Sequence, residues 1–310
     1  MDASVRTSPR SGVRLERFKS KYLKPQTLTS VLWVIVRAII LLGLCYIILY
    51  PFFIKIINAF KTYSDFIDPT VRFLPKNFTL DNIKHVINEM NYWTTLRNTV
   101  VICLILSPLQ TLVCAVTGYG FARFRFKLRG ICFFLVIFSL IVPSQTILLP
   151  LYLKFKTFLG VFNLIGTPWP LVIMSLTGLG IKNGLYIFMF RQFFRNMPKE
   201  LEEASYLDGC GTVRPFTKIM LPAATSTMVT VFLLSLAWQW TDTVFTPRFL
   251  DDIDIMSRNV NALMQSAGKP IEVANYVNIG AVLAVIPIAL VYIVLQKFFV
   301  ESIDRAGIVG

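Results

Sequence analysis

Apolar residues in this chain gather into six long runs, at approximately 32–54, 96–119, 132–153, 165–190, 223–245 and 276–299, separated by polar stretches. Each run reaches the ~20 residues that a helix needs to cross a hydrocarbon core of roughly 30 Å. Backbone groups in lipid must be satisfied internally, and a helix does this within one segment. The pattern therefore predicts an all-α integral membrane protein with six transmembrane helices. The runs hold helix breakers, including Pro51, Pro108, Pro143, Pro150, Pro168, Pro170 and Pro287. In a membrane these are either kinks packed against neighbours or breaks that line a cavity.

The polar connections set an orientation. The link between the second and third runs carries Arg123, Arg125, Lys127 and Arg129 with no acidic residue, the composition of a cytoplasmic loop. With six spans both termini share that side, so the loop from 191 to 218 is expected inside. The segment 61–91 and the acidic Asp251, Asp252 and Asp254 are expected outside. The first 30 residues, with Arg6, Arg10, Arg14, Arg17, Lys19, Lys21 and Lys24 against Asp2 and Glu16, read as a basic cytoplasmic tail in contact with anionic lipid. A cleaved signal peptide is not expected, because the apolar run that follows is too long and no small-residue site closes it. The expected division is a tail at 1–30, a transmembrane domain at 31–300 with a cytoplasmic loop at about 191–222, and a cytoplasmic tail at 301–310. Arg37, in the first run, lies only about 9 Å from its cytoplasmic end at 1.5 Å per residue and is read as snorkelling.

Composition narrows the function classes. Hydrophobic residues make up 55% of the 310, 26 of them Phe, and the mean hydropathy is +0.62, which argues against a soluble enzyme. The net charge of +14 sits in short clusters between apolar runs, so no nucleic-acid partner is expected. Cys45, Cys103, Cys114 and Cys132 lie in or beside the runs and Cys210 lies in a polar loop, so no disulfide framework is implied. The only histidine, His85, has no partner from which a metal site could be built. Neither a nucleophile elbow nor a Gly-x4-Gly-Lys-Ser/Thr phosphate loop occurs. No catalytic residue, metal or cofactor is therefore assigned to this chain.

The loop at 191–222 is the informative segment. Asn196 can cap a helix with Pro198 in its first turn, and Glu200, Glu202 and Glu203 complement the positive end of its dipole. That helix is expected from Pro198 to about Asp208. Asp208-Gly209 and Cys210-Gly211 supply the positive-φ residues that end it, and Thr212 can cap a second short helix running to Pro222. Ala204 and Ser205 are expected on one side, where small residues admit a close partner. Leu207, Phe216, Ile219 and Leu221 need something to bury them.

From Glu203 to Pro222 the chain reads Glu-Ala-Ser-Tyr-Leu-Asp-Gly, nine residues, then Ile-Met-Leu-Pro. This resembles the Glu-Ala-Ala-x3-Gly-x9-Ile-x-Leu-Pro signature of membrane subunits in binding-protein-dependent, ATP-driven importers. Phe190 to Phe194, Met197 to Ala204, Leu207 to Gly209, Tyr119 to Phe126, Pro143 to Leu153, Phe78 to Asn82 and Trp238 to Asp242 are similar to the carbohydrate branch, specifically the smaller permease of maltose-type transporters. Ser205 departs from the signature's second Ala, and Ser302 to Gly310 lack a lysine that relatives often place before the terminal Gly. The tail contact with the ATPase is accordingly not implied.

The resemblance implies the type I importer permease fold with a cytoplasmic coupling-helix hairpin, in a bacterial-type cell membrane. It implies a second homologous permease, two copies of a cytoplasmic ATPase that bind Mg-ATP, an extracytoplasmic solute-binding protein, and a sugar or oligosaccharide substrate. It assigns ATPase coupling to Glu203, Ala204, Ser205, Leu207, Asp208, Gly209, Ile219, Leu221 and Pro222, with Glu203 pairing with a basic residue of the ATPase. Polar groups that could line the substrate pathway are Gln110, Gln145, Asn183, Gln239, Asp242 and Asn278, although such residues also bind helices to one another. Trp238 and Trp240 could stack on sugar faces or anchor a span end. The alternative is an ion-coupled secondary transporter, which would need intramembrane acidic relays that are almost absent here. A membrane-embedded enzyme would need clustered His, Asp or Glu within the spans.

Overall fold

The computed structural model describes residues 25–207 and 209–307, with side chains described from 30 to 296 apart from Asp208. Most of the expected tail at 1–30, the candidate Asp208 and the last residues of the expected tail at 301–310 lie outside the described residues. The described chain is helical, and among these residues the only β pairings are the isolated bridges Lys61 to Phe78 and Phe158 to Phe162.

The chain divides into two units, 1–57 and 58–310. In the first, α1 (Pro25–Ala59) starts within the stretch expected to be tail. Its side chains from Ser30 to Phe53 are all exposed. A helix apolar on every face and buried on none needs lipid or another protein around it.

The second unit is organised around α3 (Tyr92–Arg123), a 32-residue helix. Before it, α2 (Asp81–Glu89) follows a segment folded back by Asn82, whose Nδ2 donates to the Lys61 carbonyl at 2.8 Å. After it come α4 (Arg129–Phe138), α5 (Ser144–Lys156), α6 (Trp169–Leu176), α7 (Asn183–Asn196), α8 (Glu200–Leu207), α9 (Thr225–Trp240), α10 (Met256–Ala262) and α11 (Pro270–Gly307). Helix α11 continues through Gly307, into the stretch expected to be a tail.

Three apolar clusters meet along α3. Its first turns pack Tyr92 and Cys103 with Leu236, Trp240, Met256 and Ile279. Its middle packs Leu106 with Phe155, Leu171, Met174 and Phe249. Its last turns pack Cys114 and Tyr119 with Tyr186, Phe190, Phe194 and Met220. At Gly118 a Cβ would stand 2.5 Å from Cβ of Phe190 and 2.9 Å from the Arg191 amide nitrogen. Only a residue without a side chain lets α3 and α7 approach this closely.

Among the described residues three helices are long and apolar enough to cross a membrane: Ser30–Ala59, Tyr92–Arg123 and Pro270–Gln296. The other three apolar runs are interrupted. The run at 132–153 divides into α4 and α5, because Pro143 offers no N–H and disfavours helical φ and ψ at Val142. The run at 165–190 divides into α6 and α7 after Gly178, φ +77°, where the Leu179 N–H reaches back to the Met174 carbonyl at 2.8 Å. That bond is the outer one of a Schellman ending. The run at 223–245 holds α9, which stops at Trp240 short of the end of the run and meets the preceding helical segment Val213–Ala223 at a bend of 75°.

Candidate functional site

The segment between α7 and α9 projects as a helical foot. Asn196, expected to cap the foot's first helix, is instead the last residue of α7, which extends beyond the end of its apolar run. Met197 is extended, and its carbonyl accepts from Arg123 Nη2 at 2.8 Å. The Lys199 carbonyl then accepts the amides of Glu202 and Glu203, at 3.0 and 3.1 Å, and α8 begins at Glu200.

Helix α8 has two faces. Glu202 and Ser205 are buried, whereas Glu200, Glu203, Ala204 and Leu207 form an exposed stripe at i, i+3, i+4 and i+7. Ala204 and Ser205 therefore do not share a side as the sequence pattern led us to expect: about 100° of helical rotation sends one outward and the other in. Leu207 is 89% exposed, an apolar tip with nothing of this chain to cover it among the described residues.

The buried face is held by a polar tie that sequence reasoning missed. Tyr119 OH donates to Glu202 Oε1 at 2.6 Å, and Arg123 Nε lies 3.2 Å from Glu202 Oε2. Tyr119 and Arg123 stand four residues apart on the last turns of α3, so both reach the same carboxylate. That spacing is the signal in the sequence, but Arg123 there speaks first for orientation and Glu202 for the helix dipole. Beneath them Tyr119, Phe194 and Phe216 pack ring to ring, with centroids 4.7 Å apart for Tyr119 and Phe216 and 5.5 Å for Tyr119 and Phe194.

Gly209 ends α8 with φ +79°. Its N–H bonds the Tyr206 carbonyl at 3.0 Å, and the Cys210 N–H bonds the Ser205 carbonyl at 3.1 Å. These are the two bonds of a Schellman motif, which requires a left-handed residue at this point. Thr212 stands at the start of the second arm, but its side chain makes no capping bond. The arm runs through Val213–Pro215, a π-helical turn at Phe216–Met220 and Leu221–Ala223. Leu221 is half-buried against the body; Ile219 and Pro222 are placed on the same arm, Pro222 in the first turn of its last piece.

The polar pathway candidates separate. Gln110, Asn183 and Gln239 are buried among α3, α7 and α9 with Ser107, Ser235 and Tyr186. There Ser235 Oγ bonds Gln110 Oε1, while Gln110 Nε2, both side-chain polar atoms of Asn183, Gln239 Oε1, Ser107 Oγ and Tyr186 OH have no hydrogen-bond partner among the described residues. Asp242 is occupied locally, because it accepts from the amides of Val244, Phe245 and Thr246 and from the Thr246 hydroxyl. Gln145 is exposed and Asn278 half-buried. Trp238 lies under the Lys182 ammonium, 4.8 Å from its ring centroid, and Trp240 is buried with Nε1 donating to the Ala284 carbonyl at 2.9 Å.

Comparison with known proteins decides the family. Residues 114–305 match the family described as the binding-protein-dependent transport system inner membrane component. The chain belongs to that family. As a permease of this family it is a transport component and not an enzyme, and it works with an ATPase and a solute-binding protein. This sets aside the ion-coupled alternative.

The permease is 31% identical over 198 residues to the putative ABC transporter permease protein ORF2 of a Caldicellulosiruptor species, covering 63% of this chain and 68% of that one. It is 26% identical over 273 residues to the arabinooligosaccharides transport system permease protein AraQ of Halalkalibacterium halodurans, covering 86% and 93%. To the maltodextrin transport system permease protein MalD of Streptococcus pneumoniae it is 28% identical over 270 residues, covering 86% and 92%. A chain from the crystal structure of a bacterial ABC transporter involved in the import of the acidic polysaccharide alginate shares its fold, with a TM-score of 0.69 and 19% identity over 87% of this chain and 98% of that one.

Proposed function

We propose that this permease forms half of the translocation pathway of an ATP-driven importer for a sugar or oligosaccharide, and that it couples the pathway to the ATPase through α8. The observation that carries the coupling role is the exposed stripe of Glu203, Ala204 and Leu207 on a helix whose opposite face is tied to Arg123 and Tyr119. An exposed leucine beside an exposed carboxylate suits a partner that offers an apolar socket and a basic residue. Burying one such leucine contributes about 1.5–3 kcal/mol.

In this reading Glu203, Ala204, Leu207 and Asp208 touch the ATPase, while Ser205, Gly209, Ile219, Leu221 and Pro222 shape and seat the foot. A second, similar permease completes the pathway, two ATPase copies bind Mg-ATP below, and the solute-binding protein delivers from above. A carbohydrate substrate is supported by the names of the relatives AraQ and MalD. Of the polar pathway candidates, Gln145 and Asn278 have the open placement a pathway needs. Six spans follow if α4 with α5 and α6 with α7 each count as one, and α9 counts as one, beside the three long helices. The foot and both termini then lie in the cytoplasm.

The test is co-purification of the ATPase with the permease, together with sugar uptake in cells. Glu203→Lys and Leu207→Asp are both expected to insert in the membrane yet to lose ATPase and uptake. Full retention of both by the two variants would leave α8 a connector and overturn the proposal.

A further inference from the structure

Beside the foot a cleft of about 500 Å³ opens between the end of α3, the start of α4, α7 and α8. Its walls carry Arg123, Arg125, Arg129, Arg191, Arg195 and Lys199 against Glu202 and Glu203. Glu202 is committed to Arg123 and Tyr119. Among the described residues none of the other five basic side chains forms an ion pair. With Glu203 the one remaining acid, the cleft holds an uncompensated charge of about four.

Two of these groups are held ready for an oxyanion. The Arg191 guanidinium lies 3.9 Å from the Phe133 ring centroid, and its Nε is buried with no hydrogen-bond partner among the described residues. Arg129 is steadied from the other side by its bond to the Ala122 carbonyl at 3.3 Å. A guanidinium stacked on an aromatic face keeps its planar fork free for two oxygens at once. Arg129 also opens α4, whose first turn has no side-chain cap and adds positive dipole.

We propose that this cleft binds the phosphate group of an anionic phospholipid. The shared chemistry is a phosphate oxyanion, and the rim favours a lipid over soluble phosphate. From Phe124 to Leu128 exposed apolar and basic residues alternate, as Phe-Arg-Phe-Lys-Leu. That pattern suits a headgroup layer, where rings and aliphatic chains enter the acyl boundary and cations stay at phosphate level. The inference rests on the cytoplasmic placement of the foot proposed above. Glu202 and Glu203 sit in the same wall, so lipid at this point would brace the foot.

The experiment uses full-length permease purified with its ATPase, placed in phosphatidylcholine nanodiscs with or without phosphatidylglycerol, and reads retained lipid by native mass spectrometry. Wild type is expected to retain phosphatidylglycerol in preference to phosphatidylcholine. Arg129→Gln and Arg191→Gln should each weaken that retention about tenfold or more. Lys218→Gln, an equal loss of charge at an exposed position of the foot outside both the cleft and its rim, should leave it unchanged, and Arg191→Lys should restore part of it. Equal retention of the two lipids by wild type, or an equal effect of Lys218→Gln, would overturn the site. Displacement of phosphatidylglycerol by inorganic phosphate would overturn the lipid assignment in favour of a soluble anion. Loss of ATPase from the arginine variants with lipid retention unchanged would assign the cleft to an acidic surface of the ATPase and overturn the proposal. Labelling that placed the foot outside would refute the topology alone, a result distinct from all of these.

Discussion

Glu202 and Glu203 are adjacent acids on one short helix, and the structure gives them opposite consequences when removed. In Glu202→Ala, the Tyr119 hydroxyl loses its acceptor at 2.6 Å and Arg123 loses a carboxylate 3.2 Å away. The side chains of Arg123 and Glu202 are 7% and 9% exposed, so the guanidinium would keep only its bond to Met197 as compensation. Removing one partner of a buried pair costs about 3–5 kcal/mol. Here Arg123 Nε approaches its carboxylate without hydrogen-bond alignment, and a basic cleft beside it admits water. Both facts move the expectation to the bottom of that range or just below it, about 2–3 kcal/mol. Glu203→Ala, on the exposed stripe, should change stability by less than about 0.5 kcal/mol. The assay is denaturant unfolding of the purified permease, with Arg123→Ala and the double variant completing a thermodynamic cycle. A coupling above about 1 kcal/mol between positions 123 and 202 is expected. Equal stability of the two glutamate variants, with additive effects in the cycle, would refute the tie.

Gly209 and Gly211 both have open space around an added Cβ, and only Gly209 has a positive φ. Gly209→Ala should therefore cost about 1–2 kcal/mol and Gly211→Ala close to nothing, a contrast that thermal unfolding reads directly. Gly118→Val should push α3 from α7, since even its Cβ meets Phe190 at 2.5 Å; reduced yield of folded protein in detergent, seen by size-exclusion chromatography, is the readout. For topology, Asp252→Cys should react with an impermeant thiol reagent on intact cells and Arg125→Cys should not. Permease purified without its ATPase should show no ATP hydrolysis above background.

Helical class and membrane character are legible in the sequence because hydropathy and motif spacing report averages over many residues. The positive φ at Gly209 follows from its place after a short acidic helix, and the structure has it. The breaks at Pro143 and Gly178 are visible as residues, but a run of apolar composition says nothing about whether a helix continues through them. The facing of Ala204 and Ser205 depends on the rotational phase of α8, which is set by Tyr119 and Arg123, about 80 positions earlier. Asp242 has two readings in the sequence, because a lone acid in an apolar run is a pathway candidate and its spacing ahead of Phe245 and Thr246 is also that of a local amide cap, whose bonds the structure has. That Gln110, Asn183 and Gln239 come together in one buried cluster is not legible in residue type, because it depends on how α3, α7 and α9 pack.

The 75° bend at Ala224 makes α9 a crank. Its handle is the second arm of the foot, and its shaft, 16 residues long, extends about 24 Å into the bundle. A turn of about 10° at the handle sweeps the far end through roughly 4 Å by simple geometry, most of a helical pitch. That far end is not loose. Trp240 is hydrogen-bonded to the Ala284 carbonyl in the middle of α11, so the stroke is delivered to a second long helix. A displacement applied at one surface would thus arrive deep in the bundle enlarged, at a proportionally smaller force and without any change in the length of either helix.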